Sequence, residues 1–469
     1  MNFSELANLS IERAGAALQK GELSPLELTD AYLARIEQLN PRINAYITVT
    51  AERAREDAKR ATEELAAGKV RGPLHGIPIA HKDLYETAGI RTTGGAKIHA
   101  DHVPEGDCMV AARLRAAGTI LLGKLNTHEY AYGVTTDNPH FGPTRNPWDP
   151  QRIPAGSSGG SGAAIAAGLA TAATGTDTGG SIRMPASVCG VVGLKPTYGR
   201  VSKQGVLPLS YLFDHTGPLT RTVMDAGLMF NVMAGYDPAD PASLRLPNED
   251  VLSGIDGGIR GLRIGVPRGY FFAQLEEDVA TVVEEALAEL GRLGARVREV
   301  DIPGVQEGVG GLFGHVLAEA QEIHAHALRT RGQDFGPDLQ ALLGSPAPDT
   351  AALMAGLRAC DALTAATRQV LEEVDVLVTP TTPITAVPIG QESVSYGGVE
   401  EPVLMAMIRC TAPFNASHLP ALSLPCGFSR AGLPVGLQIV GRPFDERLVL
   451  RVGHAYERSM DWHLRSPDL

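Results

Sequence analysis

Two short segments rich in glycine and serine contain residues whose types and spacing favour chemistry. The first runs from Gly156 to Gly162 and reads GSSGGSG, and the second, DTGGS, runs from Asp177 to Ser181. Closely spaced glycines let backbone N–H groups turn inward and line a site for an anion, such as a carbonyl oxygen that becomes an oxyanion. Ser181 would then lie beside the reacting carbon. The second segment therefore predicts acyl transfer by a serine nucleophile.

A serine nucleophile needs a base, and this sequence offers a lysine in place of a histidine. Lys82 lies in GIPIAHKD, a short apolar run bounded by glycine and proline, which is typical of the end of a buried strand. Burial removes water from the ammonium group and lowers its pKa towards neutrality. A neutral Lys82 would accept a proton, whereas His140 only precedes a proline-rich loop.

Two other interpretations compete for the first segment. The residues from Gly156 to Gly160 match G-x-S-x-G, the nucleophile elbow, with Ser158 as the nucleophile. That motif follows a strand, but the preceding NPWDPQRIPA contains prolines, which lack the N–H group that a central strand needs. A flexible linker is the other interpretation, and the apolar sequence that encloses the segment argues against it. For Ser158, support of the loop and a plain helix cap both stay open.

The elements that must position these residues alternate between short apolar strands and amphipathic helices, which predicts an α/β architecture. Helices are expected over 9–67, with a capping box at Ser24 and Glu27. A later helix, in EEDVATVVEEALAELGRLG, has one apolar face formed by Val279, Val282, Val283, Ala286, Leu287 and Leu290. Strands are expected at TILLGKLN, LRIGVP, ARVREVDIP, VDVLVTP, ALSLPCG and GLQIVG.

Four segments together resemble the amidase signature family: GIPIAHKD, GSSGGSGAA, GTDTGGSIRMPASVCGVVGLKPTYGRVS and DHTGPLTRTV. The similarity continues through LPALSLPCGFSRAGLPVGLQIVGRPFDE and covers nearly the whole chain. It implies an α/β fold with a central mixed β-sheet covered by helices on both faces. We expect a single domain over 1–469, composed of N-terminal helices at 9–67, a signature core at about 72–235, a connection at 236–260 and a second part of the same sheet at 261–469.

The resemblance also implies a catalytic triad. Ser181 would be the nucleophile, Ser157, in a cis peptide, would relay protons, and Lys82 would be the ultimate base and acid. The backbone N–H groups of Thr178, Gly179, Gly180 and Ser181 would form the oxyanion hole.

Other residues of the motifs are expected to support the triad or to contact substrate. We expect Ser158, Asp177 and Arg183 to brace the catalytic loops by hydrogen bonds. Tyr132 and Gly133 match a substrate-lining region of the family, and for Tyr132 a core position is the other interpretation.

Two functions follow from the resemblance. The first is a hydrolase that cleaves amides, and with them anilides, esters or carbamates, through an acyl-enzyme and without a cofactor. The alternative is the A subunit of a glutamine-dependent tRNA amidotransferase, which shares the triad and carries an aspartate available to the α-ammonium of glutamine. The best alignment puts Asn415 on an Asn of that family pattern and Ile408 at the aspartate position. We therefore expect poor glutamine binding, unless Glu400 or Glu401 reaches the site.

The charge of the chain and the character of its N-terminal segment predict which partners the protein binds and where in the cell it is located. The formal net charge is −12, with no dense run of Lys and Arg, which argues against binding to nucleic acid or to an anionic membrane. A small-molecule amide, ester or carbamate is the expected partner, and a homodimer is left open. The N-terminal segment is amphipathic and contains acidic residues, unlike a signal peptide, so a cytoplasmic location is expected.

Cysteine and histidine patterns do not predict a metal site. Scattered cysteines without C-x-x-C spacing indicate buried thiols, namely Cys108, Cys189, Cys360, Cys410 and Cys426. The short histidine pairs, His99 with His102 and His324 with His326, have no acidic partner at ligand spacing.

Overall fold

The computed structural model describes residue 5 and residues 8–247, 249–396 and 398–469. The prediction that the N-terminal segment is not a signal peptide rests in part on residues 1–4, 6 and 7, which lie outside the described residues. The helices are α1 Ile11–Gln19, α2 Pro25–Ile43, α3 Ala51–Ala66, α4 Met109–Ala116, α5 Gly159–Ala166, α6 Arg183–Cys189, α7 Val223–Met233, α8 Arg268–Phe272, α9 Glu277–Arg292, α10 Val305–Arg331, α11 Pro337–Leu343, α12 Thr350–Glu373, α13 Val403–Ile408, α14 Pro413–Ala416 and α15 Glu446–Glu457. Short 3₁₀ helices lie at Lys97–His99, Glu129–Ala131, Gly332–Asp334 and Trp462–Leu464.

The strands of the described residues form one large sheet and two small hairpins. They are β1 Tyr46–Val49, β2 Pro78–Lys82, β3 Ile120–Leu125, β4 Asp137–Asn138, β5 Gly142–Pro143, β6 Ala172–Asp177, β7 Val192–Lys195, β8 His215–Thr220, β9 Arg263–Pro267, β10 Arg296–Val300, β11 Val376–Pro380, β12 Ser393–Tyr396, β13 Val399–Pro402, β14 Ala421–Phe428 and β15 Pro434–Val440. The large sheet has the order β1-β3-β2-β6-β8-β7-β14-β15-β11-β9-β10, while β4 pairs with β5 and β12 with β13.

The large sheet is mixed and lies between helices. β2 is parallel to β3 and β6, whereas β8 is antiparallel to both β6 and β7. Successive residues of a strand point to opposite faces, and every residue of β6, β8 and β15 is buried, so both faces of the sheet are covered. The predicted α/β class and central mixed sheet are confirmed.

The N-terminal region differs from the prediction in one element. The capping box of α2 forms as expected, with reciprocal hydrogen bonds between Ser24 and Glu27. The region is not helical throughout, however, because β1 lies between α2 and α3 and pairs antiparallel with β3 at the sheet edge. Asn44 ends α2 in the left-handed conformation, at φ 55°, and turns the chain into this strand.

The second half contains the predicted strands and the predicted apolar face of α9, whose buried residues are the six expected ones. The long helix α10 was not predicted, because its first turns are rich in glycine, a poor helix former. A Cβ at Gly311 would lie 2.4 Å from the carbonyl oxygen of Gly356 in α12. These glycines therefore let two long helices pack in close contact.

The connection at 236–260 contains no helix or strand among its described residues. Strands from before and after it belong to the same sheet. The division of the chain into the parts named above stays a prediction. All five cysteines are buried and free, as expected. Nowhere in the described residues is there a helix of the length and apolarity needed to cross a membrane.

Candidate active site

Two neighbouring parallel strands bring the candidate residues to one edge of the sheet. β2 pairs with β6 and ends at Lys82, while β6 ends at Asp177. The carboxyl ends of parallel strands lie at the same edge of a sheet. Lys82 and the segment that begins at Asp177 therefore meet there, although they are far apart in the sequence.

Lys82 is completely buried and faces hydroxyl groups instead of carboxylates. Its Nζ donates hydrogen bonds to Ser157 Oγ at 2.7 Å and to Thr176 Oγ1 at 2.8 Å. Burial lowers the pKa of Lys82 to about 7, although the carboxylates of Asp214 and Asp177 act in the opposite direction. A large fraction of Lys82 is therefore neutral near pH 7 and able to accept a proton.

The loop that carries Ser157 is buried and tightly packed. The Gly156–Ser157 peptide bond is cis. The Ser157 carbonyl oxygen accepts hydrogen bonds from Thr127 Oγ1 at 2.9 Å and from the His128 N–H at 3.1 Å. A Cβ at Gly160 would lie 2.4 Å from the Asn126 carbonyl oxygen, so only glycine allows this approach. The segment is therefore part of the protein core and not a flexible linker.

Ser158 bonds to strand β6. Its Oγ donates to the Thr176 carbonyl oxygen at 3.2 Å and accepts from the Thr176 N–H at 3.3 Å. It precedes α5 but makes no capping hydrogen bond, and a loop, not a strand, leads into it. This geometry corresponds to support of the loop, and it lacks the strand that a nucleophile elbow requires.

The second segment presents backbone donors beside Ser181. Among the described residues, no acceptor receives a hydrogen bond from the N–H groups of Thr178, Gly179, Gly180 or Ser181. Gly180 has φ 139°, and a Cβ there would lie 2.2 Å from Thr411 Oγ1. The Ser158 N–H donates to the Ser181 carbonyl oxygen at 3.3 Å, which joins the two segments. The arrangement can hold an anion next to the Ser181 hydroxyl.

A buried ion pair anchors the second segment. The Arg183 guanidinium donates to both Asp177 carboxylate oxygens, at 2.8 and 3.0 Å, and reaches the Gln438 and Asn415 side chains and the Thr411 carbonyl oxygen. Burial by itself raises the pKa of the Asp177 carboxyl, but Arg183 outweighs it and holds the pKa at about 2. These contacts tie Asp177 and Arg183 to the loop, and Asn415 belongs to the same network.

We expect Arg183→Met to lower the free energy of unfolding by about 3–5 kcal/mol, because it leaves the Asp177 carboxylate buried without its partner. Urea unfolding followed by circular dichroism measures this loss. Arg430→Met is the matched control, since Arg430 pairs with Glu277 and Asp278 at the surface, where its side chain is 74% exposed. An ion pair at the exposed surface contributes about 0–1 kcal/mol to the free energy of unfolding. Equal losses in the two variants would contradict the anchoring role of Arg183.

A mostly apolar cavity adjoins Ser181, and its empty space, part of which is open to solvent, is about 390 Å³. The side chains and backbone that line it are uncharged, and they belong to Ala131, Tyr132, Gly133, Val134, Thr178, Gly179, Ser181, Met184, Leu209, Leu312, Phe313, Val316, Leu404 and Ile408. We call it the proximal cavity. Tyr132 and Gly133, the two predicted substrate-binding residues, both lie in its wall.

Two residues of the site were not assigned from the sequence. Thr176 contacts Lys82, and its place in GTDTGGS was the only signal for it. The Asp214 carboxylate accepts a hydrogen bond from Thr178 Oγ1 at 2.5 Å and from the N–H groups of Leu209 and Ser210. Asp214 opens the motif DHTGPLTRTV, but no spacing indicated that it would hold the segment with the free N–H groups.

The structure also places the residues that bear on glutamine binding. Ile408 lines the proximal cavity, 4.0 Å from where a Cβ on Gly179 would lie. Glu401 bonds to Arg409 and to the Tyr396 hydroxyl, and Glu400 accepts a hydrogen bond from Ser393. Neither glutamate lines the proximal cavity, and the Glu401 carboxylate is paired with Arg409.

Three of the four histidines in these pairs take part in ring contacts. His99 packs against His102 and Tyr130, and His324 packs against Tyr130 with the two rings tilted. Within the described part of the chain, no group of three or more His, Cys, Asp or Glu side chains is placed to hold a metal ion.

Comparison with known proteins gives relatives that match along almost the whole chain. The A subunit of glutamyl-tRNA(Gln) amidotransferase from Roseiflexus sp. (strain RS-1) is 44% identical over 99% of both proteins. Among solved structures, a chain from a vestigial complex related to the origins of an s-triazine catabolic enzyme is 36% identical, with a TM-score of 0.91 over 96% of this chain and 98% of that one. A peptide amidase bound to the inhibitor chymostatin is 31% identical, with a TM-score of 0.86 over 99% of each chain.

The first of these relatives corrects the prediction about partners. The net negative charge led us to expect that the protein does not bind nucleic acid, and the resemblance led us to expect a small-molecule partner. The relative from Roseiflexus is by name one subunit of an amidotransferase for glutamyl-tRNA(Gln), and this chain is similar to it from end to end. The prediction is wrong because net charge averages over the whole surface and does not indicate which partners a protein meets in an assembly.

A family model described as Amidase matches residues 27–450. The matched range contains Lys82, both glycine- and serine-rich segments and the motif that begins at Asp214. Sequence identity, fold and site geometry thus agree over most of the length. The chain belongs to the amidase signature family of enzymes.

Proposed function

We propose that this protein cleaves amide C–N bonds by acyl transfer to Ser181. The observation that carries the proposal is the fully buried Lys82, whose Nζ lies 2.7 Å from Ser157 Oγ. No carboxylate of the described residues lies within ion-pair distance of this ammonium group. A lysine held in this way acts as a base near neutral pH.

The proposed proton path combines the contact between Lys82 and Ser157 with the roles that the family resemblance implies for Ser157 and Ser181. Ser181 Oγ attacks the substrate carbonyl carbon and gives its proton to Ser157 Oγ, which passes its own proton to neutral Lys82. When the tetrahedral intermediate breaks down, Lys82 returns a proton through Ser157 to the leaving amine. Water then attacks the acyl-enzyme by the same path and releases the acid.

The backbone N–H groups of residues 178–181 provide the electrostatic part of the mechanism. During attack, negative charge develops on the substrate oxygen, and these N–H groups would donate hydrogen bonds to it. Because Asp214 holds Thr178 and the Arg183 network holds Asp177, the donors are positioned before substrate binds. Donors that need no rearrangement stabilise the transition state more than the ground state.

The lining of the proximal cavity favours an amide with an apolar group beside the scissile bond. Met184, Leu209, Leu312 and Ile408 surround the space next to Ser181. A zwitterion such as glutamine would lose its hydration there and find no charged partner in the wall. Anilides, esters and carbamates with apolar groups would fit the same space.

A second candidate function is that of a glutamine-cleaving component of a tRNA-dependent amidotransferase. The curated relatives favour it over an independent amidase, since their names describe such subunits at up to 44% identity over nearly the full length. The apolar position of Ile408 favours the first candidate. The two functions share the triad and differ in the substrate that the cavity accepts.

We expect the purified chain to cleave hexanamide or acetanilide with a kcat/KM at least about a hundredfold above that for glutamine. This factor corresponds to about 3 kcal/mol, the lower range for a buried charge that lacks its partner. Ammonia or aniline release measures both rates. Ile408→Asp should raise kcat/KM for glutamine and so lower the ratio of the apolar amide's kcat/KM to that of glutamine. Ile408→Asn introduces a side chain of similar size to aspartate but without its charge, and it should leave this ratio unchanged.

The same assay separates the two candidates. Ammonia release from glutamine that depends on added amidotransferase partner subunits, with no cleavage of alkyl or aryl amides by the chain alone, would establish the second function and refute the first.

A further inference from the structure

We propose that a second, larger cavity next to the proximal one binds a neutral hydrogen-bonding group, such as a secondary amide, at the far end of an extended amide substrate. This inference rests on the proposed function, because it extends the same site. The cavity opens to solvent and contains, with that open part, about 1070 Å³ of empty space. Its walls are formed by Tyr270, Ala273, Gln274, Gln306, Val309, Gly310, Phe313, Glu401, Met405, Ile408 and Arg409. We call it the distal cavity.

Helix α10 runs along both cavities. Gln306, Val309, Gly310 and Phe313 repeat at helical spacing and line the distal cavity. Leu312, Phe313 and Val316, about one turn further on, line the proximal cavity. A helix rises about 1.5 Å per residue, so Gln306 and Val316 are about 15 Å apart along the axis. One substrate of that length can lie along this helix.

Helix α13 also contributes residues to both cavities. Leu404 lines the proximal cavity, Met405 lines the distal cavity, and Ile408 lines both. Ile408 and Phe313 are thus the two side chains that the cavities share. Both side chains are apolar, so a substrate that extends from one cavity into the other would place a hydrocarbon segment against them.

The charged residues of the distal cavity neutralise each other. Glu401 accepts hydrogen bonds from Arg409 and from the Tyr396 hydroxyl, and both members of the ion pair are mostly buried. Arg409 also donates to the Gln274 carbonyl oxygen at 3.3 Å. A charged ligand group would therefore meet no free opposite charge from this pair.

Neutral polar groups are what the distal cavity leaves available. Within the part of the chain that the structure describes, the side-chain amides of Gln274 and Gln306 and the Tyr270 hydroxyl have no protein hydrogen-bond partner. Gln306 is exposed and the other two residues are half-buried, so a ligand can reach all three. A glutamine amide both donates and accepts, which matches a secondary amide in the ligand. This chemistry favours an acylated amine over a carboxylate or an ammonium group as the distal substituent.

Gly310 allows the distal cavity to be filled without disturbing the fold. A Cβ at this position meets no atom within 4 Å, and the residue lies inside a helix, where a side chain is tolerated. Gly310→Phe would therefore place a ring in the cavity. Gly291→Phe is the matched control, because Gly291 also lies in a helix with no atom near its Cβ and lines neither cavity.

The test compares two series of primary amides, from butanamide to dodecanamide, with and without an acetamido group on the terminal carbon. For the wild-type protein, we expect the acetamido group to raise kcat/KM about tenfold in the longer members and to have no effect in the shorter ones. A terminal carboxylate or ammonium group should give no gain. Gly310→Phe should abolish the acetamido effect, and Gly291→Phe should retain it.

Failure of this inference differs from failure of the proposed function. If the wild-type protein cleaves the amides but shows no acetamido effect at any length, or if Gly310→Phe leaves the effect unchanged, the distal cavity is not a substrate site. If none of the amides is cleaved, the proposed function itself is wrong.

Discussion

Ser181→Ala is expected to abolish turnover of every substrate while leaving the fold intact. Without the hydroxyl no acyl-enzyme forms, and loss of a nucleophilic serine lowers kcat by roughly a millionfold. The rate of amide cleavage measures the loss, and a fluorophosphonate reagent provides a second readout. The reagent should label the wild-type protein on Ser181, as located by peptide mass spectrometry, and should not label the variant.

Ser158→Ala is the matched control, since Ser158 is a buried serine beside the same triad. Within the described residues its Oγ bonds only to the backbone of Thr176, so we expect a loss of about 1 kcal/mol in stability and a modest loss in rate. The reverse result, with most activity kept in Ser181→Ala and lost in Ser158→Ala, would identify Ser158 as the nucleophile and overturn the triad proposed above.

Lys82→Met is expected to lower kcat by about 10²- to 10⁴-fold, the usual contribution of a general base. In the wild-type protein, kcat/KM should rise with pH through about 7, because only the neutral amine accepts a proton. The variant should lose this rise. A small loss in rate with an unchanged pH profile would show that Lys82 is not the base.

Stability measurements separate the chemistry of Lys82 from folding. The folded pKa of about 7 lies below the ordinary value of 10.5, so the unfolded chain binds more protons between these values and stability rises with pH across that window. Lys82→Met removes this contribution and should be no less stable at pH 7. Lys124→Met is a control for the pH profile of kcat/KM. Lys124 is as buried as Lys82, and burial lowers its pKa to about 8. It bonds to Tyr85, Thr87 and Thr92 and not to the candidate triad, so this variant should keep the rise of kcat/KM with pH.

The sequence predicted correctly those helices and strands whose own residues favour the structure that they adopt in the fold. The capping box at Ser24 and the six-residue face of α9 are formed by residues within one helix, and both match the structure. β1 was missed because a four-residue edge strand is defined by its partner β3 and not by its own alternation. α10 was missed because its glycines have low helix propensity, and contact with α12 outweighs that cost.

The site shows the same division. The positions of Lys82, Ser157 and Ser181 were predicted from motifs, and the structure brings the segments that carry them together at one sheet edge. The apolar character of the proximal cavity depends on α10 and α13, which are distant in sequence from the motifs and carry no signature of their own. The role of Asp214 depends on a single contact with Thr178, which no spacing rule describes.

The order of the large sheet has a consequence for synthesis on the ribosome. The six strands of the large sheet that come first in the sequence are β1, β2, β3, β6, β7 and β8, and they lie side by side. The five later strands form the rest of the sheet, and the two groups meet where β7 pairs with β14. The edge of β7 thus stays unpaired from the emergence of Lys195 until that of Ala421. At about 5–20 residues per second this interval lasts about 10 to 50 s. During that time the nascent chain exposes an apolar strand edge, and Arg183 lacks Asn415 and Gln438, so this intermediate is the species most prone to aggregate or to need a chaperone.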